Sequence, residues 1–233
     1  MKSSIRGEMM KEKKQIVIVG AGGFAREVLD IIEAIQTNDD SVECLGFIVD
    51  RQYGEPGTII NDLPILGDLE WLVENGRNVH IVCAIGAPEL RFHMIKRLEK
   101  LNSSFYTPVH PQAIMTRRIS IGEGSIITAG CILTNNIEIG KHVHVNLDCT
   151  IGHDVIIRDF VTISPGCHLS GNVSLGEGAF IGTGANILEK LDIGEWSRIG
   201  AGSTIVKDAE RNTTVVGVPG KVIKNMEKDW HLG

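Results

Sequence analysis

From Ile121 to Glu210 an aliphatic residue returns at every sixth position without an insertion: IGEGSI, ITAGCI, LTNNIE, IGKHVH, VNLDCT, IGHDVI, IRDFVT, ISPGCH, LSGNVS, LGEGAF, IGTGAN, ILEKLD, IGEWSR, IGAGST, IVKDAE. Each hexad opens with Ile, Leu or Val, and its fifth residue is small or aliphatic throughout. Two inward positions in six leave room for one short strand and one turn, which cannot bury themselves; stacked on their neighbours they bury a continuous column. The pattern predicts a parallel β-helix over about 108–210, three hexads to a triangular coil. Weaker hexads led by Val109 and Met115 form the entry coil, and Arg211, a charge at an inward position, ends the phase.

Stacking predicts that residues eighteen apart share a column. One inward column then runs Ala113, Cys131, Cys149, Cys167, Ala185, Ser203, all small. Its cysteines are predicted to fill the core as reduced thiols rather than to form a metal or redox ladder. An outward column runs Arg117, Asn135, His153, Gly171, Glu189, Lys207.

Before residue 107 the period changes. KKQIVIVGAGGFAREVLDIIEAI predicts a buried strand, a glycine turn and a helix with apolar Val28, Leu29, Ile32 and Ile35. VECLGFIVD and VHIVCAIG predict further strands, LPILG a short extended piece, and LEWLVENG and PELRFHMIKRLEKL helices. Alternating β and α elements imply a small parallel sheet. The stretch is too short for two βαβαβ halves, so one nucleotide-binding half is expected. The predicted domains are an α/β half-Rossmann unit, 14–106, and a β-helix with a C-terminal tail, 107–233.

Composition narrows the function. A net charge of −6 with no long basic block argues against nucleic acid as a partner. No apolar run approaches a membrane span, and the opening MKSSIRGEMMKEKKQ lacks the apolar core of a signal peptide, so a cytoplasmic protein off the membrane is expected. Five cysteines without a CxxC pair give neither a disulfide framework nor a standard zinc site. His142, His144 and His168 invite a metal reading, but His144 and His168, twenty-four residues apart, belong to different faces of the coils, and no metal is expected.

Two constellations carry candidate chemistry. Gly20-Ala21-Gly22-Gly23-Phe24-Ala25 satisfies GxGxxA between a strand and a helix, where backbone N–H groups and a helix N-terminus receive a phosphate; Asp50, ending the second strand, suits ribose hydroxyls. The turn itself leaves NAD(P) and a nucleotide-sugar both open. In the solenoid His153 points outward, with Asp154 beside it and the bare backbone of Gly171 one coil on, leaving space for a ligand and an N–H for an oxyanion.

The order of these parts, a nucleotide-binding half-fold, uninterrupted hexapeptide coils carrying a GHD step, then VVGVPGKVIK, resembles the bacterial sugar acyltransferases of the left-handed β-helix superfamily. These include N-acetyltransferases of nucleotide-linked amino sugars (bacillosamine, GDP-perosamine) and sialic acid O-acetyltransferases. The resemblance runs from about Lys14 to Lys224. It implies an acetyl-CoA-dependent enzyme acting on a nucleotide-linked amino sugar, with O-transfer to a sugar as the alternative and a non-catalytic β-helix scaffold as a further one. It also implies a homotrimer. His153 would be the general base and Asp154 its acidic partner; Gly20, Gly22, Gly23, Phe24, Asp50 and Asn146 would meet the sugar nucleotide; and Gly171, Ala201, Pro219 and Lys221 would meet CoA. Two departures stand out. Phe24 occupies a position where many members carry histidine, and GVPGK replaces the usual GxPAK.

Overall fold

The computed structural model describes residues 13–232; the opening segment through Glu12, with the sequence that lacks a signal-peptide core, lies outside them. The first unit is a sheet of β1 (Lys14–Val19), β2 (Val42–Ile48), β3 (Ile59–Ile60), β4 (Leu63–Gly67), β5 (Val79–Cys83) and β6 (Ser104–Phe105) in the order β3-β4-β2-β1-β5-β6. Helices α1 (Gly23–Gln36), α2 (Leu69–Asn75) and α3 (Pro88–Glu99) connect its strands. β4 pairs parallel with β2 and antiparallel with β3, so LPILG is a full sheet strand rather than a loose extended piece. Strand order reverses between β1 and β5, which puts the glycine turn after β1 at the crevice where such sheets bind ligands.

The second unit is the three-sided parallel β-helix. Its first face stacks Ile126–Ile127, His144–Val145, Thr162–Ile163, Phe180–Ile181 and Arg198–Ile199; its second runs from Ile114–Met115 to Thr204–Ile205; its third runs from Ile119–Ile121 to Asp192–Ile193. Partners lie eighteen residues apart, as in His144 with Thr162. The inward column of Cys131, Cys149, Cys167, Ala185 and Ser203 is completely buried, and each thiol donates to a backbone carbonyl at 3.2 Å, from Cys131 to Asn146, Cys149 to Ser164 and Cys167 to Gly182. The cysteines are free core residues, as the stacking rule requires.

The solenoid does not stop at Arg211. Ile193 pairs with Ala209 and Ile199 with Val215, sixteen residues on rather than eighteen. The last coil is two residues short, so Ala209, Thr213 and Val215 take the inward positions and Arg211 turns outward, beside Glu195. A final strand, Lys221–Asn225, folds back antiparallel on Thr213–Val216.

Every fourth hexad position from Gly124 to Gly202 has positive φ. This left-handed corner suits Gly, Asn and Asp, which fill most of these positions, and costs a bulky side chain about 1–2 kcal/mol. Four residues depart from this set: Lys190 lies on another corner, and the ring-bearing His142, Phe160 and Trp196 share one column at the corner between the third and first faces. Their rings are buried against the first unit: His142 stacks on Phe160, Phe105 meets His142 edge-on, and Phe92 of α3 meets both Phe160 and Trp196 edge-on. That column is the seam between the two units.

Candidate active site

His153 follows the second-face strand Thr150–Ile151 and Asp154 is the left-handed residue of the same corner, with φ +59°. The His153 Nδ1–H donates to Asp154 Oδ2 at 2.7 Å, and Asn136 Nδ2, one coil below, donates to Asp154 Oδ1 at 3.1 Å. These hydrogen bonds, the one from His153 first, hold the Asp154 carboxyl below its ordinary range, so it is ionised at neutral pH. An ionised partner on Nδ1 assigns the proton there and leaves the lone pair on Nε2.

Nε2 lies against the bare backbone of Gly171. A Cβ built on Gly171 would stand 2.5 Å from Nε2 and 2.6 Å from Cε1 of His153, so only glycine leaves the ring in place. Gly152 closes the same corner from the other side, where a Cβ would strike the Gly171 amide nitrogen at 2.7 Å. Among the described residues, N–H groups at the third hexad position donate to no backbone acceptor, and that of Gly171 is one of them. A ring nitrogen with a free lone pair therefore sits beside an unused backbone donor on an exposed edge.

The other residues picked out by sequence lie elsewhere. Asn146 follows the first-face strand His144–Val145, at the corner between the first and second faces; it is nearly buried, its amide donating to Ile163 O at 2.7 Å. Ala201 belongs to the same corner, three coils above Leu147, and is exposed. The 217–220 turn lies against it: Gly217 N–H donates to Ser203 Oγ, and Gly220 N–H to Thr204 O. Pro219 and the exposed Lys221 therefore fall on this corner too. The sequence-selected residues divide into two sets on different corners of one prism, His153, Asp154 and Gly171 on one and Asn146, Ala201, Pro219 and Lys221 on the other.

In the first unit Gly20 has φ +109°, and a Cβ there would crowd Ala84 O at 3.3 Å. Gly22 caps α1 with no side-chain hydrogen bond and nothing within 4 Å of a built Cβ, and Gly23 opens the helix. The N-terminal amides of α1 are thus open to an anion. Phe24 turns to the β-helix, its ring 5.0 Å from that of His144. Asp50 ends the segment after β2, where Arg97 Nη2 of α3 reaches Oδ1 at 3.4 Å.

No group of described residues could hold a metal ion. His142 and His144 belong to the seam, and His168 bonds Thr150 Oγ1 at 2.8 Å. Sequence reasoning missed Arg91, fully buried between the units, because an arginine inside a helical pattern resembles any surface cation. No helix among the described residues is long and apolar enough to cross a membrane.

Residues 15–98 match the model of the PglD N-terminal domain family. The acetyltransferase domain of PglB from Neisseria gonorrhoeae FA1090 is 31% identical, with a TM-score of 0.82 over 91% of this chain and 100% of that one; it has also been solved in complex with acetyl coenzyme A. A mutant of perosamine N-acetyltransferase from Caulobacter crescentus, in complex with CoA and GDP-perosamine, is 25% identical with a TM-score of 0.83, covering 91% of this chain and 97% of that one. WeeI from Acinetobacter baumannii AYE is 29% identical, with a TM-score of 0.81 over 91% and 100%. Among curated proteins, none matches the chain.

Proposed function

The chain belongs to the sugar acetyltransferases of the hexapeptide-repeat, left-handed β-helix superfamily, and we propose that it transfers the acetyl group of acetyl-CoA to the amino group of a nucleotide-linked amino sugar, with His153 as general base. The observation that carries this reading is the His153 Nε2 lone pair lying against the backbone of Gly171 while Asp154 holds Nδ1. The amine lone pair attacks the thioester carbonyl carbon as Nε2 takes the amine proton. The carbonyl electrons move to oxygen, where the Gly171 N–H donates to the oxyanion. Collapse of the tetrahedral intermediate breaks the C–S bond, and the leaving thiolate recovers a proton from the imidazolium, giving the N-acetyl sugar and CoA.

Gly20, Gly22, Gly23 and the start of α1 would receive the diphosphate, and Asp50 the ribose. Phe24 packs on His144 and has no hydrogen to donate, so the sugar is held by other groups. Because Phe24 touches His144, two residues before Asn146, the sugar nucleotide lies nearer the Asn146 corner than the His153 corner of its own chain. A complete site then needs the His153 corner of a second copy. Contact between two different corners is heterologous and must close into a ring, and corners of a triangular prism turn by a third of a circle, which favours a homotrimer. Ala201, Pro219 and Lys221 would line the CoA side of that shared cleft, Lys221 meeting a phosphate. Acetyl-CoA supply puts the reaction in the cytoplasm.

The test is release of free thiol from acetyl-CoA against UDP-, dTDP- and GDP-linked 3-amino and 4-amino sugars, with sialic acid as the O-acceptor control. Release with no amino sugar sinks N-transfer, and release with sialic acid alone establishes the O-transfer reading in its stead. In the same assay His153→Ala is expected to lose on the order of 10² to 10⁴ in rate. A variant keeping more than a tenth of the activity removes His153 from the role.

A further inference from the structure

Arg91 projects from α3 into the seam and is completely buried. Among the described residues no carboxylate pairs with it; of the two acids on its own helix, Glu89 bonds Arg198 at 2.7 Å and Glu99 bonds Lys96 at 3.0 Å. Its partners are backbone and neutral groups from three places. Nη1 donates to Ile85 O at 2.7 Å and Gly86 O at 3.1 Å, in the loop after β5. That loop borders the glycine turn, since Ala84 O is the atom that a Cβ on Gly20 would crowd. Nε donates to His142 O at 2.9 Å, and Nη1 also donates to His144 Nδ1 at 3.0 Å, both on the coil that continues to Asn146 and His153. Nη2 donates to Phe160 O, Val161 O and Thr162 Oγ1, on the next coil, which continues to Gly171. The Thr162 hydroxyl passes its own hydrogen to Gly86 O at 2.8 Å.

The arginine's donation to Nδ1 leaves the His144 proton on Nε2, which donates to Cys83 O at the end of β5. The Phe24 ring then lies on this fixed imidazole. One planar fork of five N–H donors thus ties the crevice loop, the base-bearing coil and the amide-bearing coil together, a span that no point charge could cover.

We propose that Arg91 is a positioning residue for the transfer reaction: it sets the nucleotide crevice of the first unit against the two coils that carry His153 and Gly171. The inference rests on the acetyltransfer reading above. It is tested on the full chain by calorimetric titration with GDP, UDP and dTDP, and with CoA, for the wild type, Arg91→Lys and Thr162→Val, alongside thiol-release rates. Arg91→Lys keeps the charge but loses the fork. It is expected to weaken binding of the best nucleoside diphosphate by about tenfold and to lower kcat by on the order of 10- to 100-fold, while CoA affinity stays within about twofold. Thr162→Val, the milder change should the lysine variant fail to fold, removes the hydroxyl's bonds to Arg91 and Gly86 O and is expected to weaken the nucleotide by about fivefold. Lower melting temperatures with unchanged nucleotide affinity and kcat in the folded variants would overturn the positioning role and leave a purely structural one. Equal losses toward nucleotide and CoA would overturn it as well. A wild type that binds none of the three nucleotides would overturn the acetyltransfer reading itself.

Discussion

Substituting Gly171 by alanine separates chemistry from folding. The added Cβ would stand 2.5 Å from Nε2 of His153, where ordinary contact needs about 3.5 Å, so the ring must retreat by about 1 Å. Backbone strain does not enter, because Gly171 is not among the left-handed residues. The imidazole is 61% exposed and can swing into solvent without disturbing the core, but doing so breaks its 2.7 Å bond to Asp154. A displacement of this size at a reacting atom costs on the order of 10²-fold in rate, or about 2.7 kcal/mol of transition-state stabilisation. Initial thiol-release rates at saturating acetyl-CoA should fall by that factor while the melting temperature stays within about 2 °C of wild type. Gly152→Ala is the control. Its Cβ would meet backbone, the Gly171 nitrogen and the Ser170 carbonyl carbon at 2.7 Å, which cannot swing away. Overpacking of that kind costs about 1–3 kcal/mol and should lower the melting temperature by several degrees. A Gly171→Ala enzyme with more than half the wild-type rate would refute the assignment of the base to this corner.

Asp154→Asn should fold normally, since asparagine tolerates the left-handed corner, yet lose about tenfold or more in kcat because an amide can hold the wrong tautomer of His153; an unchanged kcat would remove Asp154 from the site. Stability should fall on mild acidification. Burial first, then Arg91, lowers His142 to about 4 and His144 well below its usual value, so below about pH 6.5 the unfolded chain binds protons that the folded chain refuses. Each ring then removes about 1.4 kcal/mol per pH unit until its folded pKa is reached, and urea melts at pH 7, 6 and 5 that superimpose would contradict this. All five cysteines are buried, so a disulfide thiol reagent should label none of them until the chain is unfolded; rapid labelling of Cys131, Cys149 or Cys167 in native protein would contradict the packed column.

The hexad phase carried most of the β-helix because one rule, burial of two positions in six, acts at every coil. It failed where the rule changed: a two-residue shortening moves Ala209 into the place expected of Arg211, and no local signal announces a deletion in a spacing. The seam was written in the sequence but in a different register. Fourth positions accept Gly, Asn and Asp by backbone preference, so the rings of His142, Phe160 and Trp196 in one column already mark where another surface must repay that strain. Within the site, periodicity displayed His153 beside Gly171. It did not reveal that Lys221 lies at the Asn146 corner, because the strand Lys221–Asn225 folds back antiparallel beyond the repeat, where the hexad phase says nothing.

The contacts of Trp230 and His231 bear on the order in which the molecule is made. Each coil touches the one eighteen residues before it, so the solenoid can lengthen turn by turn as the polypeptide leaves the ribosome. The stacking of His231 on Trp196 at 3.9 Å, the contact of Arg198 with Trp230, and the hydrogen bond between His93 and His231 O follow another logic. The last of these joins α3 to a residue 138 positions later, so the cost of closing that loop is met only after the whole solenoid has been made. Until Trp230 and His231 emerge, the sides of Phe92 and Trp196 that His231 covers stay open, an aromatic patch on an otherwise finished solenoid.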